Sequence, residues 1–320
     1  MNGHKLSTPV ALFLYRRPEC TAESFRVVSA QQPPKLLIVA DGPKSDQERE
    51  QCLAARRIVE RIDWPCEVLR NYSDTNLGCR RRMWTGLDWV FSLVDRAILI
   101  EDDCVPHASF FRFAEEMLER YKDEPRVMMI NAMSSPPFAG RNDQSYWFTR
   151  YPLVWGWATW RRAWRLYDAE MRAWPGKRQE GMLGRMLQDE DACEYWTGML
   201  DRAHANQIDT WDYMWTFSCW ANDGVSIIPS VNMVKNIGFG AEATHTTDSD
   251  SKHARLAAKE MIFPLRHPAG IEVSPADDKT LFAHSFGWKR PSRLERYWVA
   301  ARWYRRRLRQ LLRGGKMSSS

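Results

Sequence analysis

Residues 97–104, with the sequence AILIEDDC, form the stretch that decides the fold. Four apolar residues are followed directly by three carboxylates, Glu101, Asp102 and Asp103. A short apolar run that ends in charged residues is typical of a strand buried on both faces of a sheet. Ligands of open α/β sheets bind beyond the carboxyl ends of the strands. The acidic triplet therefore predicts a site at this edge of the sheet.

The same pattern recurs through the first 130 residues. Further strands are predicted at 10–15, 35–40, 67–69 and 127–130, with amphipathic helices at 20–30, 46–61, 81–94 and 109–121. Regular alternation of strands and helices predicts an α/β fold with a mostly parallel sheet flanked by helices. Two more polar clusters, YRRP at 15–18 and DGP at 41–43, also follow predicted strands. They are expected at the same edge as the acidic triplet.

The second half of the chain differs in composition. Ten of the sixteen tryptophans lie between Trp147 and Trp220. Helical spacing covers 181–206, and short strands are predicted at 225–229 and 231–234. We predict one domain over residues 1–270, with halves at 1–132 and 133–270. A linker at 271–287 and a basic tail at 288–320 follow it.

The net charge of +6 is unevenly distributed. Residues 288–320 carry eleven basic residues and one acidic residue, whereas residues 1–287 carry 35 basic and 39 acidic residues. The mild acidity of residues 1–287 excludes a protein whose main body binds nucleic acid through a basic surface. A helix over 291–312 would carry arginines around an apolar stripe, which suits an anionic membrane surface. A helix packed on the body and an RNA-binding arm are the alternatives for the tail.

Cysteine usage and hydropathy indicate the compartment. No stretch approaches the roughly 20 apolar residues that would cross a bilayer. The apolar run at 10–15 is short and is followed by two arginines, which does not fit a signal peptide. The seven cysteines are scattered without a C-x-x-C pair, which favours a reducing environment. A cytoplasmic protein, peripheral on the inner face of the cell membrane through its tail, is expected.

Three adjacent carboxylates repel one another unless a positive charge offsets them. Mn²⁺ or Mg²⁺ bound to a diphosphate would do this with oxygen ligands. The alternative is a solvated acidic turn in which Asp102 or Asp103 caps the next helix. The position of the triplet after a buried strand favours the metal.

Six stretches together resemble the nucleotide-diphospho-sugar transferases of the GT-A fold. The likeness includes bacterial proteins grouped with family 2 glycosyltransferases, some carrying a "hemolytic protein" label, and eukaryotic N-acetylglucosaminyltransferase I. It implies a GT-A, Rossmann-like fold and an inverting, metal-dependent transferase whose donor is a UDP-sugar and whose acceptor is a glycan or a lipid-linked sugar. The stretches span residues 9–246: PVALFLYRRPE, KLLIVADGPK, NLGCRRRMWTGLDWVF, AILIEDDCVPHASFF, WGWATWRRAW and TWDYMWTFSCWANDGVSIIPSVNMVKNIGFGAEATHT.

The resemblance also assigns roles on the donor side. It implies that Asp103 binds the metal and that Asp102 contacts the ribose or a metal-bound water. Asp41 looks like the residue that hydrogen-bonds the uracil, and Arg16 and Arg80 look like parts of the nucleotide site. His245 resembles a late histidine that reaches the metal or diphosphate, and the segment 238–247 would act as a lid. A structural role for His245 is the alternative, as is a solvated basic helix start for Arg80, Arg81 and Arg82.

Inversion requires a base that takes the proton of the acceptor hydroxyl. Asp212, in the second half, is the candidate by position and by resemblance, and Asp209 is the rival. Trp155, Trp157 and Trp211 are candidates to stack on the C–H face of a sugar, although most tryptophans of this region are expected in the core. A sugar-phosphate nucleotidyltransferase and a non-enzymatic membrane-active protein remain the competing functions.

Overall fold

The computed structural model of the protein describes residues 4–134, 144–239 and 255–288. Strands and helices alternate through the first half, as the sequence predicts. The elements are β1 (Val10–Leu14), α1 (Pro18–Ala30), β2 (Lys35–Ala40), α2 (Asp46–Ile58), β3 (Glu67–Tyr72), α3 (Cys79–Leu93) and β4 (Arg96–Glu101).

The second half is less regular, with several short elements. They are β5 (Cys104–Pro106), α4 (Ala108–Arg120), β6 (Val127–Asn131), β7 (Tyr146–Thr149), β8 (Trp157–Trp160), α5 (Arg161–Trp164), α6 (Trp174–Gln179), α7 (Met182–Leu187), α8 (Glu190–His204), α9 (Asp212–Ala221), β9 (Val225–Pro229), β10 (Val234–Asn236) and α10 (Pro275–Phe286).

Eight strands form one sheet in the order β3-β2-β1-β4-β8-β6-β9-β7. The first four strands pair in parallel, and β6 and β9 pair in parallel as well. β8 runs antiparallel to both β4 and β6, and β7 runs antiparallel to β9. The prediction of a mostly parallel α/β sheet is confirmed. β5 and β10 form a separate two-stranded antiparallel ribbon.

The core lies where helices pack on this sheet. All residues of β1, β6, β7, β8 and β9 are buried, which explains their nearly continuous apolar sequences. α4 buries a face that includes Phe110, Phe113 and Met117, and it packs on β4, β6 and β8. α3 approaches the sheet through Gly86, where a Cβ would lie 2.6 Å from Cγ1 of Val39.

The segment 271–287, predicted as a linker, contains α10, whose Asp278, Leu281 and Phe282 are buried. The Thr149 hydroxyl donates to Asp278 Oδ1 at 2.5 Å, and the Arg150 backbone N–H donates to Oδ2 at 3.2 Å. Burial raises the pKa of Asp278 to about 6. The compact unit therefore ends at Phe286, and Gly287–Ser320 forms a second unit. The predicted tail helix at 291–312 lies outside the described residues.

Two boundaries differ from the sequence prediction. The helical segment 181–206 is two helices, because Gln188 adopts a left-handed conformation and the Asp189 side chain caps α8 by accepting from the Ala192 N–H. The strand predicted at 231–234 begins at Val234 instead. No helix in the described part of the chain is both long and apolar enough to cross a membrane.

We expect Gly86→Ala to lower the free energy of unfolding by about 1–3 kcal/mol, because the added methyl group would press on Val39 and Phe13. Urea unfolding measures this. Gly198→Ala is the matched control, since Gly198 lies in α8 with nothing within 4 Å of the added Cβ. There the change should raise stability by about 0.5–1 kcal/mol, and a loss at Gly198 would contradict the packing argument.

Candidate functional site

The acidic triplet lies at the end of β4, where an arginine from the loop after β1 meets it. Arg17 Nη2 lies 2.6 Å from Asp102 Oδ1 and 3.0 Å from Asp103 Oδ2. The backbone N–H of Tyr15 donates to Asp102 Oδ2 at 3.1 Å. β1 and β4 are neighbours in parallel, with Phe13 opposite Glu101, and this register brings the two strand ends together.

Burial dominates the electrostatics of this turn. Asp102 is only 3% exposed, and burial raises its pKa to about 6 although Arg17 opposes the shift. Burial also raises the pKa of Glu101 well above its usual value, and Asp103 and Asp102 add to that shift. For Arg17, burial disfavours the charge, but the two aspartates outweigh it and raise its pKa. The turn therefore places Asp102 and Asp103 around one partly buried cation.

Arg17 was missed by the sequence prediction, which chose Arg16. Arg16 lies beside α2, with its Nε 3.6 Å from Glu48 Oε1 and 30% of its side chain exposed. Both arginines follow β1, so the sequence alone does not distinguish them. Arg17 reaches the acidic turn because β1 pairs with β4, and this pairing is known only from the strand order of the sheet.

Asp41 organises the loop before α3. Its Oδ1 accepts from the backbone N–H groups of Gly42 and Leu77 at 2.8 and 2.9 Å, and its Oδ2 accepts from the Asn76 side chain at 2.9 Å. Burial raises its pKa, and the backbone hydrogen bonds from Leu77 and Gly42 oppose that rise. Asp41 thus lies at the predicted edge of the sheet, and its carboxylate is engaged by the protein's own loop.

The three arginines at the start of α3 have three different environments. Arg80 donates to the Asn206 side chain at 2.5 Å and to the Ala169 carbonyl at 2.6 Å, both in the second half of the chain. Arg81 is exposed. Arg82 is buried and donates to the carbonyl and the side chain of Asn71. Arg80 therefore joins the two halves, and its place at a nucleotide stays a prediction.

The ribbon of β5 and β10 brings the chain back to the acidic turn. Ile237 donates its backbone N–H to the Asp103 carbonyl at 2.8 Å. A Cβ on Gly238 would clash with Asp103 Oδ2 and would lie 2.8 Å from Arg17 Nη1. Only a glycine fits this close approach, so residues 236–238 form one wall of the site.

The candidate base lies near the same site. Burial and then four nearby carboxylates raise the pKa of the Cys79 thiol. Asp212, the first residue of α9, receives hydrogen bonds from the Thr210 hydroxyl and from the Tyr213 backbone N–H. Asp209 lies beside the start of α3, where a Cβ on Gly78 would be 3.2 Å from its Oδ2. The carboxylates around Cys79 come from both halves of the chain: Glu101, Asp212, Asp209 and Asp103.

The tryptophan candidates divide into two groups. Trp157 and Trp211 are 1% and 3% exposed and stack on each other with ring centroids 5.5 Å apart. They are buried against each other in this structure, and the role in lining a sugar stays a prediction. Trp155 is partly exposed and meets Phe239 edge-on at 5.7 Å. His245 and most of the predicted lid at 238–247 lie outside the described residues.

The acidic side chains at this turn suit a metal ion that takes only some of its ligands from the protein. Among residues 4–134, 144–239 and 255–288, no three His, Cys, Asp or Glu side chains form a ready metal cluster. Mg²⁺ in nucleotide sites needs only one or two carboxylates, because substrate phosphates supply further ligands. Asp103, with 17% of its side chain exposed, fits that requirement, although Arg17 already contacts one of its oxygens.

No family model matches the chain, and no curated protein matches its sequence. Solved structures do match. TarS residues 1–349 from S. aureus aligns at 10% identity with a TM-score of 0.35, covering 49% of this chain and 47% of that one. UDP-glucose pyrophosphorylase complexed with UDP-glucose aligns at 11% identity with a TM-score of 0.26, covering 46% and 64%.

A third match is 4-diphosphocytidyl-2C-methyl-D-erythritol synthase from Anaerococcus prevotii, at 7% identity and a TM-score of 0.29, covering 57% of this chain and 78% of that one. The chain spans about half of the TarS structure and under two thirds of the pyrophosphorylase. All three TM-scores are below 0.5, so the function is inferred from the site of this protein itself.

We expect Arg17→Met to lower the free energy of unfolding by about 2–4 kcal/mol at pH 8, because it leaves the buried Asp102 and the partly exposed Asp103 without their cation. The pKa of Asp102 is already about 6 in the folded protein, so this carboxyl becomes neutral as the pH falls below 6. The deficit relative to the wild type should therefore shrink between pH 8 and pH 5. Urea unfolding across this range measures it.

Arg16→Met is the control, because its ion pair is long and half-exposed, and it should change stability by less than about 1 kcal/mol. A deficit in Arg17→Met that is the same at pH 8 and pH 5 would contradict the charge-pairing role.

Proposed function

We propose that the protein is a metal-dependent, inverting glycosyltransferase that uses a nucleotide-diphosphate sugar, with a UDP-sugar as the expected donor. The observation that carries the proposal is that the segment just before α9 approaches the start of α3, where a Cβ on Gly78 would lie 3.2 Å from Asp209 Oδ2. Asp103, after β4, and Asp212, at the start of α9, both raise the pKa of the Cys79 thiol in that helix. One carboxylate comes from the strand–helix half and the other from the aromatic half. Group transfer between two substrates requires such a pair of groups facing a shared space.

Asp103 is the proposed carboxylate for Mn²⁺ or Mg²⁺ on the donor side. The metal would supply charge neutralisation for the diphosphate leaving group. Arg17 holds Asp102 and Asp103 in place, and Asp102 in turn accepts from the Tyr15 backbone, so the carboxylates are oriented before the donor binds. The loop held by Asp41 and Asn76 leads to the N-terminus of α3, which suits a phosphate group.

Asp212 is the proposed general base. Its position at the start of α9 fixes the backbone, and the Thr210 hydroxyl and Tyr213 N–H both bond to Oδ1. Both bonds orient the carboxylate, and the proposed role of this carboxylate is to accept the proton of an acceptor hydroxyl. Because Asp212 acts on the acceptor and Asp103 on the leaving group, the two roles have different kinetic signatures.

The acceptor is proposed to be a glycan or a lipid-linked sugar, and the tail is proposed to attach the protein to an anionic membrane surface on its cytoplasmic side. The support is the charge of residues 288–320, with eleven basic residues against one acidic residue. Each basic side chain near anionic lipid contributes about 1 kcal/mol to such binding.

We expect Asp103→Ala to reduce UDP release from UDP-sugars by about 100-fold or more in the presence of Mn²⁺, because the leaving diphosphate loses its metal-binding carboxylate. A panel of UDP-sugars with a UDP-detection assay measures this. Asp63→Ala, an exposed aspartate after α2, is the matched control and should keep full activity. Pyrophosphate release from a nucleoside triphosphate and a sugar phosphate, with no UDP release from any donor, would instead support the nucleotidyltransferase.

Asp212→Asn should lower transfer to the acceptor by about 10²–10⁴-fold while UDP and Mn²⁺ binding stay near the wild-type values. Calorimetric titration of UDP and Mn²⁺ and a transfer assay separate the two effects. The rival aspartate provides the comparison, because Asp209→Asn should retain transfer if Asp212 is the base. Transfer that survives in Asp212→Asn and is lost in Asp209→Asn would move the role to Asp209.

A further inference from the structure

Both oxygens of the Asp103 carboxylate are engaged by groups of the protein. Oδ2 pairs with Arg17 Nη2 at 3.0 Å, and Oδ1 accepts from the thiol of the buried Cys104 at 3.5 Å. A thiol is a weak hydrogen-bond donor, whereas a bond between a guanidinium and a carboxylate is charge-assisted. Arg17 is therefore the main competitor that a divalent metal meets at Asp103.

Arg17 is anchored on Asp102 more firmly than on Asp103. Its Nη2 lies 2.6 Å from Asp102 Oδ1, and the Asp102 side chain is 4% exposed against 17% for Asp103. Asp102 is itself fixed by the Tyr15 N–H at 3.1 Å and by the Ser24 hydroxyl, which donates to its backbone carbonyl at 2.7 Å. The guanidinium can therefore turn away from Asp103 and keep its pair with Asp102.

Arg17 also has N–H donors that the protein does not use. Within residues 4–134, 144–239 and 255–288, the hydrogen bonds of its side chain all start from Nη2. An arginine carries five N–H donors, so those on Nη1 and Nε remain for another acceptor. A planar guanidinium with two adjacent free N–H groups matches the oxygens of a phosphate.

The charges of the turn favour a metal and a diphosphate together over either one alone. A diphosphate that arrives alone is repelled by the carboxylates that follow β4. A metal that arrives alone meets an Asp103 carboxylate already paired with Arg17. When both bind, the guanidinium gains a phosphate in place of Asp103, and Asp103 gains the metal in place of the guanidinium.

We propose that Arg17 couples the binding of these two ligands: it weakens metal binding at Asp103 until the diphosphate of the donor draws the guanidinium away. The inference rests on the proposed glycosyltransferase function and gives Arg17 a positioning role in that site. Coupling between two ligands is reciprocal. The metal must therefore raise the affinity for UDP by the same factor by which UDP raises the affinity for the metal.

Binding of Mn²⁺ alone to the full chain tests the competition at Asp103. We expect Arg17→Met to bind Mn²⁺ about fivefold more tightly than the wild type when no nucleotide is present, because Asp103 loses its competing cation. Electron paramagnetic resonance of free Mn²⁺ measures this. An arginine that only orients Asp103 predicts the opposite sign, so unchanged or weaker Mn²⁺ binding in folded Arg17→Met would overturn the proposal.

The same measurement with UDP present tests the coupling, after correction for the complex that Mn²⁺ forms with UDP in solution. UDP should strengthen Mn²⁺ binding to the wild type by at least about tenfold. In Arg17→Met this enhancement should be smaller by at least about fivefold, because the phosphate loses a charge-assisted partner. An equal enhancement in the two proteins would overturn the proposal.

Lys235→Met is the matched control, because it removes one positive charge from β10 at the position that pairs with Val105, next to the acidic turn. Lys235 is exposed, and its loss should change Mn²⁺ binding by less than about twofold. If Lys235→Met and Arg17→Met strengthen Mn²⁺ binding equally, the effect is one of general charge and the role of Arg17 fails.

Arg17→Lys is the second variant, since it keeps the charge beside Asp102. A lysine carries its donors on one nitrogen and cannot hold a carboxylate and a phosphate through separate N–H groups of one plane. The enhancement by UDP should therefore fall by at least about threefold. Circular dichroism checks the fold of each variant, and an unchanged enhancement in Arg17→Lys would overturn the proposal even where Arg17→Met is unfolded.

These titrations separate the inference from the proposed function. A wild-type protein that binds neither Mn²⁺ nor UDP would contradict both. Coupled binding without UDP release from any UDP-sugar would contradict the glycosyltransferase alone, whereas UDP release with equal coupling in the wild type and Arg17→Met would contradict only the role of Arg17.

Discussion

The ion pairs between Arg17 and the two aspartates at the end of β4 are the interaction on which the site depends. Asp102 lies almost entirely out of water, where an isolated carboxylate is strongly disfavoured. The guanidinium meets both carboxylates from a neighbouring strand end, so the charge of the buried Asp102 is balanced by a group of the protein itself. A Cβ on Gly238 would lie 2.8 Å from the same guanidinium, so the segment that follows β10 passes close to the acidic turn. Three distant parts of the sequence therefore meet at this turn.

This arrangement also changes the meaning of the acidic triplet. From the sequence alone, three adjacent anions predict an external cation, and a divalent metal is the favoured one. The structure supplies a positive charge from within the chain. A metal that binds here with a diphosphate must therefore share Asp103 with Arg17, and an incoming diphosphate is itself an anion that attracts the guanidinium.

Much of the structure of residues 1–132 could be predicted from the sequence, because their strands are short apolar runs bounded by polar residues. Each of the five strands predicted there is present, and so is each helix. The aromatic half was harder, since β7 and β8 are four-residue strands that a pattern of alternating polarity does not reveal. The sequence does not show whether a tryptophan faces a ligand or another side chain. Only the structure shows that Trp157 and Trp211 stack on each other in the core. Arg17 needed the strand order as well, because its partners come from a strand more than eighty residues away.

The antiparallel strand β8, inserted between β4 and β6, has a geometric consequence for the chemistry. Neighbouring strands lie about 4.8 Å apart, so the ends of β4 and β6 are separated by about 10 Å at the edge where ligands bind. β8 contributes its amino end, Trp157, to that edge, preceded by Gly156 and Trp155. The strand thus acts as a spacer of fixed width, and residues 155–157 lie between the two strand ends. Groups that directly follow β4 and β6 are therefore held about 10 Å apart by the sheet itself.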